Sequence, residues 1–383
     1  VIRWRRGRVV ALGREWTGAL EVQVAIGEPA LGDPPEVPTG AAGSEDGVTV
    51  RALAYPALVG RPQPGDTVLL NTTALAMGLG TGGYAMIVAI PDRLPPDPTG
   101  PGHLVKDRYA PMQVTVAGAD EQGSAHHDLL SEADSIDGMP VVIADLHSAL
   151  PAITTTVLAC RAGTRIAYVM TDGGALPLWF SRTVAQLAAH NHLTGTVTVG
   201  QAYGGDLEAV TLHTGLLAAR YALGAELAVV TQGPGNLGTG TRWGFSGVQS
   251  GEAVNATSVL GGRPVASLRI SEADSRDRHR GVSHHSLTAY GRVALASADL
   301  VVPQLPGEFG AGVRRVAETL ASRHRLILEP TDDLLGILRQ SPVRLSTMGR
   351  GLDEDNAYFL GVAAAGRHAA RLLATRANQP TSG

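Results

Sequence analysis

The sequence predicts an α/β protein in which a small all-β domain, barrel- or sandwich-like, precedes a doubly wound and mostly parallel sheet. Three observations carry this. Apolar and polar residues alternate with period two at 20–26 and again at 48–54, and a proline-rich break interrupts the chain at 93–103. Beyond residue 140, short and nearly continuous apolar runs alternate with helical stretches.

In chain order, residues 1–95 form the β domain. Leu20, Val22, Val24 and Ile26 fall on one side of a strand, with Glu21, Gln23 and Ala25 on the other. The run 48–54 repeats the pattern, and the turn Pro64-Gly65-Asp66 feeds a strand at 67–70. Residues 28–47 are rich in Pro, Gly and small side chains without a period, and read as a long mobile loop. The basic start, Arg3-Trp4-Arg5-Arg6-Gly7-Arg8, reads as an exposed edge strand guarded by arginines. Tracking of nucleic acid is the second reading of basic and aromatic residues on a small barrel. Gly78-Leu79-Gly80-Thr81-Gly82-Gly83 is either a hairpin connection or a lid. The prolines of 93–103 remove donors and fix φ, which excludes a helix interior or a central strand and sets the domain boundary there.

The parallel α/β domain spans 104–374. Residues 112–117 read as one more strand and 120–138 as a polar surface excursion. Strands at 140–144, 165–170, 195–199, 226–231, 264–270 and 300–302 are mostly Val, Ile, Leu and Ala, as burial on both faces requires. Helical stretches at 177–190, 206–222 and 249–260 lie between most of them. A helix at 308–323, strands at 326–328 and 343–346, and a last helix with Asp353 as its N-cap continue the rhythm. Ala357, Gly361, Ala364 and Ala365 give that helix a small-residue face, suited either to core packing or to a dimer seam, and a homo-oligomer is expected. Residues 375–383 read as a disordered tail.

Composition narrows the functions. A chain of 383 residues exceeds what one core usually organises, and 44% hydrophobic with 17% charged residues marks a folded protein. No run approaches the ~20 apolar residues of a membrane span, and the start lacks a signal peptide's apolar stretch. A cytoplasmic protein without membrane contact is the expectation. The formal net charge of −4 opposes strong nonspecific nucleic-acid binding. Cys160 is the only cysteine, which excludes an internal disulfide and cysteine-built metal sites; its apolar setting at 153–159 predicts a buried thiol. Lys106 is the only lysine and stands between Val105 and Asp107, which excludes a Walker A loop and leaves no evident Schiff-base lysine.

In an open parallel sheet, ligands bind beyond the carboxyl ends of the strands, so the loops that follow them are the candidate sites. Asp145 and His147 follow the first strand of the domain, and Asp172 the second; each aspartate is either a helix cap or a ligand contact. After Thr231 comes QGPGNLGTGTRWGFSG, residues 232–247. Gly233, Gly235 and Gly238 spell G-x-G-x-x-G, but Pro234 lacks an N–H and the next helical pattern starts near Gln249, so a dinucleotide fingerprint fits poorly. An anion cradle fits better. In it the backbone around Gly233, Gly235, Asn236, Gly238 and Gly240 meets a phosphate or carboxylate, and Thr239, Thr241 and Arg242 add donors. A purely structural crossover is the alternative. Gly244-Phe245-Ser246-Gly247 lacks the spacing of a nucleophile elbow.

The loop SEADSRDRHRGVSHHS, 271–286, holds three of the twelve histidines. His279, His284 and His285 stand among Asp274, Asp277, Arg278 and Arg280, a mixture for acid–base work, anion binding, metal ligation or a solvated ion-pair network. On a strand, His284 and His285 would face opposite sides, and no H-E-x-x-H spacing is present, so the residues specify neither a metal nor another cofactor.

Three strings are long and specific: LNTTALAMGLGTGG at 70–83, QGPGNLGTGTRWGFSG, and DRHRGVSHHSLTA at 277–289. On them the chain resembles, from end to end, the bacterial family catalogued as domain of unknown function 3866. The resemblance implies a bacterial source and brings no activity, cofactor or catalytic residue. From the residues themselves, the leading reading is an enzyme that binds a small anionic ligand, phosphate-bearing ligands included. The glycine-rich loop with Arg242 holds the anion, and His279, His284 or His285 transfers a proton in a pocket shared with Asp145, His147 and Asp172. The alternatives are a non-catalytic ligand sensor or assembly protein using the same pocket, and a nucleic-acid binder acting through the basic β domain.

Overall fold

Alternating side chains in the first hundred residues bury one face of each strand and close into a barrel. Its strands are β1 (Trp4–Trp16), β2 (Ala19–Ile26), β3 (Val48–Ala54), β4 (Thr67–Asn71) and β5 (Ala85–Ala89), hydrogen-bonded in the order β1-β2-β3-β5-β4. Short helices α1 (Pro56–Val59) and α2 (Thr73–Ala76) precede β4 and β5. This computed structural model describes residues 2–26, 48–79 and 82–377. The loop expected at 28–47, Gly80 and Thr81 of the second glycine run, and residues 378–383 lie outside the described residues.

Val9, Val22, Val24, Val50, Val68, Leu70 and Ile87 fill the barrel. β1 pairs with β4 from Trp4 opposite Asn71 to Arg8 opposite Thr67, and with β2 from Gly7 opposite Ile26 to Trp16 opposite Ala19. The arginine-rich start is an edge only in part: Gly7 and Arg8 are paired on both sides, with β2 and β4, while Trp4, Arg5 and Arg6 are paired with β4. Gly7 permits the close crossing, since a Cβ there would lie 2.4 Å from Val24 Cγ1. β5 is a strand that the sequence does not announce, because AMIVA shows no alternation.

Contacts divide the chain into two units, Val1–Gly100 with Asp107–Val114, and Pro101–Lys106 with Thr115–Gly383. Short strands β6 (Leu104–Lys106) and β7 (Val114–Val116) and helix α3 (His127–Leu130) precede the large sheet. Its strands are β8 (Pro140–Ile143), β9 (Ile166–Thr171), β10 (Gly195–Thr198), β11 (Leu207–Glu208), β12 (Leu227–Gln232), β13 (Arg263–Ser267), β16 (Asp299–Pro303) and β17 (Arg325–Glu329). They run parallel in the order β11-β10-β9-β12-β8-β13-β16-β17. Two small hairpins stand apart, β14 (Ile270–Ser271) with β15 (Gly281–Val282) and β18 (Ser346–Thr347) with β19 (Arg350–Gly351).

Helices cover both faces, as unbroken apolar strands require. Val142, Tyr168 and Val229 pack against α4 (Leu150–Cys160), α5 (Arg182–Ala189), α10 (Leu334–Leu338) and α11 (Asn356–Ala377). Their neighbours Val141, Val169 and Val230 point the other way, to α6 (Leu212–Tyr221), α7 (Gln249–Val259) and α9 (Gly307–Glu318). The route from β8 to β9 passes over β12 on the α4 face, and the route from β12 to β13 passes over β8 on the α7 face. Adjacent strands β8 and β12 thus send their following loops apart, which opens a crevice at their carboxyl ends.

Several local expectations change. The stretch 206–222 is not one helix: Leu207 and Glu208 form the edge strand β11, and α6 starts at Leu212 with Thr211 as its cap. The last helix begins at Asn356, three residues past Asp353, whose carboxylate instead accepts from Arg339 at 3.2 Å. It continues to Ala377, into the segment read as tail. Its small-residue face is core packing: Ala357, Ala364 and Ala365 are buried within the chain, and a Cβ at Gly366 would lie 2.9 Å from the Ile153 carbonyl oxygen on α4. Cys160 is exposed, because α4 leaves the sheet after Val157 and its last residue projects past the core. No helix among the described residues is long and apolar enough to cross a membrane.

Candidate functional site

The crevice between β8 and β12 is furnished by the residues that follow β8, β12 and β13. Asp145, two residues past β8, is 6% exposed. Its position is fixed through its backbone, whose carbonyl accepts from Gln232 Nε2 at 2.6 Å; Ser246 Oγ donates to Gln232 Oε1 at 2.6 Å in turn. Arg269, two residues past β13 and 4% exposed, brings Nη1 to 3.6 Å from Asp145 Oδ2. A buried charge needs a partner, and each of these supplies the other's.

From Arg269 the chain runs through β14, a short 3₁₀ turn at Asp277–His279, and β15, then returns as α8 (His284–Thr288). Ser283 is the hinge of this arrangement. Its N–H donates to the Arg269 carbonyl at 2.8 Å, its Oγ accepts from the His285 N–H at 3.2 Å as the helix cap, and the same Oγ lies 2.8 Å from His279 Nδ1. His284 and His285 are thus the first residues of a helix. Successive side chains there turn by about 100° instead of alternating by 180°, so both can face His279. One ring nitrogen from each of the three histidines lies within 4.8 Å of the others. Phe245 stacks on His285 at 3.8 Å between centroids and 5° between planes, bringing the end of the glycine-rich loop against the cluster.

The surroundings of two of these imidazoles disfavour the charged form. Burial, then the cations Arg269 and Arg276, push His279 down to about 3. Burial and the neighbouring His285 also lower His284. Burial pushes the Asp145 carboxyl up, but His285 and Arg269 outweigh it and hold it below the usual carboxylate range. Arg276 is itself balanced by Asp274, which it grips through Nε and Nη2 at 2.9 and 2.8 Å.

Above the cluster opens a cleft of about 410 Å³ lined by Gly240, Arg242, Arg278, His284, Leu287, Thr288 and Arg292. Arg292 comes from a π-helical turn, Ala289–Val293, that extends α8. Arg242, Arg278 and Arg292 have no carboxylate partner among the described residues.

The glycine-rich loop is a closed hairpin more than an open cradle. Thr239 N donates to the Gly244 carbonyl at 2.8 Å and Ser246 N to that of Leu237 at 2.9 Å. The hydroxyls of Thr239 and Thr241, expected to contact an anion, lie 3.0 Å apart, and Thr241 Oγ1 accepts from Gly244 N. Asn236 Oδ1 accepts from Gln232 Nε2 at 3.2 Å and lies 2.9 Å from Ser246 Oγ. Gly233 serves close packing, since a Cβ there would lie 2.5 Å from the Ala175 carbonyl oxygen. Gly235 and Gly240 take positive φ of 90° and 79°, which a turn demands and most residues resist. Gly235 and Gly238 do not line the cleft; what the loop offers there is Gly240 and Arg242.

Two candidates stand elsewhere. Asp172 accepts from Gln201 N at 2.9 Å and Gln249 Nε2 at 3.1 Å, tying the loop after β9 to α7. His147 sits under the α4 face with Nδ1 3.0 Å from the Tyr168 hydroxyl and Nε2 2.7 Å from Ser181 Oγ. Burial pushes it down to about 4. Lys106 is a structural tie, its Nζ donating to Glu208 at 2.8 Å and to the carbonyls of Thr198 and Ala202. Sequence reasoning missed Arg269, Gln232, Phe245 and Arg292. Arg269 had a signal: it is the one charge within the apolar run 264–270, and a charge placed there must find a buried partner.

No curated protein matches the chain. A family model described as protein of unknown function (DUF3866) matches residues 51–366, from within β3 to within α11. That span contains the barrel's later strands, the whole eight-stranded sheet, the glycine-rich hairpin and the histidine cluster, and the chain accordingly belongs to the DUF3866 family.

Proposed function

We propose that the protein is an enzyme acting on a small, phosphate-bearing substrate held in the cleft between the glycine-rich hairpin and the histidine loop. One observation carries the reading: Arg242, Arg278 and Arg292, from three separate segments, line one cleft with His284, and none has a carboxylate partner among the described residues. Converging guanidinium groups without counter-ions favour an anion of more than one charge, which each can grip through two N–H donors. The volume of about 410 Å³ falls within the range of small-molecule sites. His284 lines the cleft, and its burial favours the uncharged imidazole, the form that accepts a proton or binds a Lewis acid.

Inorganic pyrophosphate is the first probe, and Trp243, exposed and next to Arg242, is a fluorescent reporter beside the cleft. R278A and R292A should each weaken binding by about tenfold or more, the worth of one charge-assisted hydrogen bond. H284Q should keep pyrophosphate binding and lose turnover across a panel of phosphate esters. Equal affinity in the wild type and both arginine variants, or no binding of pyrophosphate at all, would remove the reading.

A further inference from the structure

We propose that His279, His284 and His285 bind one divalent transition-metal ion of the zinc class, with Asp145 behind His285 as the carboxylate that orients it. Nothing in the family's description assigns such a site. The role given to the ion rests on the anion-cleft reading above; its binding does not.

Two buried polar atoms without hydrogen-bond partners carry the argument, His284 Nε2 and Asp145 Oδ2. Such atoms are rare in folded proteins and call for a missing partner. One ion supplies both. Placed among the three rings, it takes the lone pair of His284 Nε2 directly. His279 contacts Ser283 through Nδ1, which leaves Nε2 for the ion.

His285 completes the set through its tautomer. Its Nδ1 lies 3.2 Å from Arg269 Nη1 and 3.4 Å from Asp145 Oδ2. With the proton on Nε2, Nδ1 accepts from Arg269 and the carboxylate oxygen stays unsatisfied. Ligation through Nε2 moves the proton to Nδ1, which then donates to Asp145, while Arg269 remains paired with that carboxylate. This is the carboxylate–histidine–metal relay that fixes ring orientation in metal centres.

Three imidazoles suit zinc and its neighbours, and three protein ligands leave a fourth position open. His284 lines the cleft, so that position faces the bound anion, where the ion would polarise a phosphoryl oxygen. Tetrahedral bonds of about 2.0–2.1 Å place ligand nitrogens roughly 3.3 Å apart. The present 4.8 Å limit requires the rings to close by up to about 1.5 Å through side-chain rotation.

The test is a titration of the chelator-treated full chain with cobalt(II), followed by visible absorption and then by displacement with zinc, all without anion. The expected result is one equivalent bound with a tetrahedral spectrum. H279A and H284A should abolish it, and D145N should keep the stoichiometry while weakening affinity by about 10–100-fold. Circular dichroism of each variant separates lost ligation from lost folding, and H284A, at the cleft surface, disturbs packing least. No bound cobalt, an octahedral spectrum, or unchanged binding in folded H284A overturns the proposal. Metal bound with unaltered pyrophosphate affinity in R278A and R292A would retain the ion and discard the anion cleft.

Discussion

Protonation of His147 should set part of this protein's acid sensitivity. The imidazole lies between the Tyr168 hydroxyl and Ser181 Oγ, and burial lowers it from 6.5 to about 4. The sign follows from linkage. Below its unfolded value the unfolded chain binds a proton that the folded site refuses, so stability is complete above about pH 6.5 and is lost as the pH falls toward 4. At 1.36 kcal/mol per pKa unit, this group withdraws about 2 kcal/mol by pH 5 and about 3 kcal/mol by pH 4, as an upper bound. Urea unfolding of wild type and H147Q, followed by circular dichroism from pH 7.5 to 5, isolates the contribution, because other titrating groups act equally in both. H147Q should be less stable at neutral pH and should lose about 2 kcal/mol less on acidification. Parallel stability–pH curves for the two proteins would refute the burial argument.

Arg269→Met should destabilise the protein by about 3–5 kcal/mol, since it strands the Asp145 carboxylate in the interior. The double variant D145N/R269M should recover part of that loss, and an unfolding free energy from urea titration that falls by less than about 1 kcal/mol in R269M would mean the pair is not buried as described. Cys160, exposed at the end of α4, should be alkylated by iodoacetamide in the native protein at a rate close to that of a free thiol. Modification only in denaturant would restore the buried thiol.

The fold was legible wherever burial was two-sided. Runs such as 140–143, 227–232 and 264–267 admit no solvent face, and the helices between them dictate parallel strands. Legibility failed at short edges. β11 is two residues long, and Leu207-Glu208 carries no period to read. Type-based inference failed at Cys160, where helix position outweighed the residue's usual preference for the interior. The four candidate loops were legible as loops. Their convergence was not, because it depends on β12 inserting between β8 and β9 and on a two-residue hairpin that folds His279 back toward His284. Local sequence reported the ligands' types, while strand order decided which of them meet: Asp145 joined the histidines, and His147, two residues later, went to the opposite face of the sheet.

Charge pairing, more than cavity size, distinguishes the site from its rivals. A larger cavity of about 530 Å³ lies at the other end of the sheet, lined by Arg263, Arg325, His368 and Arg371 among others. By size and basic lining it would be the better anion site. Its cations are already neutralised: Asp299 accepts from Arg325 at 2.7 and 2.5 Å and lies 2.7 Å from His368 and 3.5 Å from Arg263, and Arg371 pairs with Glu329. An incoming anion would have to displace a carboxylate whose pKa His368 and Arg325 hold well below its ordinary value against the effect of burial. At the cleft beside the histidine cluster the balance is reversed. Arg242, Arg278 and Arg292 meet no carboxylate among the described residues, while buried Arg269 and half-buried Arg276 are each matched by an aspartate. Unmatched charge at the surface and matched charge below is the arrangement that attracts an anion without destabilising the interior. It occurs at the carboxyl ends of the strands, where the diverging connections of β8 and β12 open the sheet.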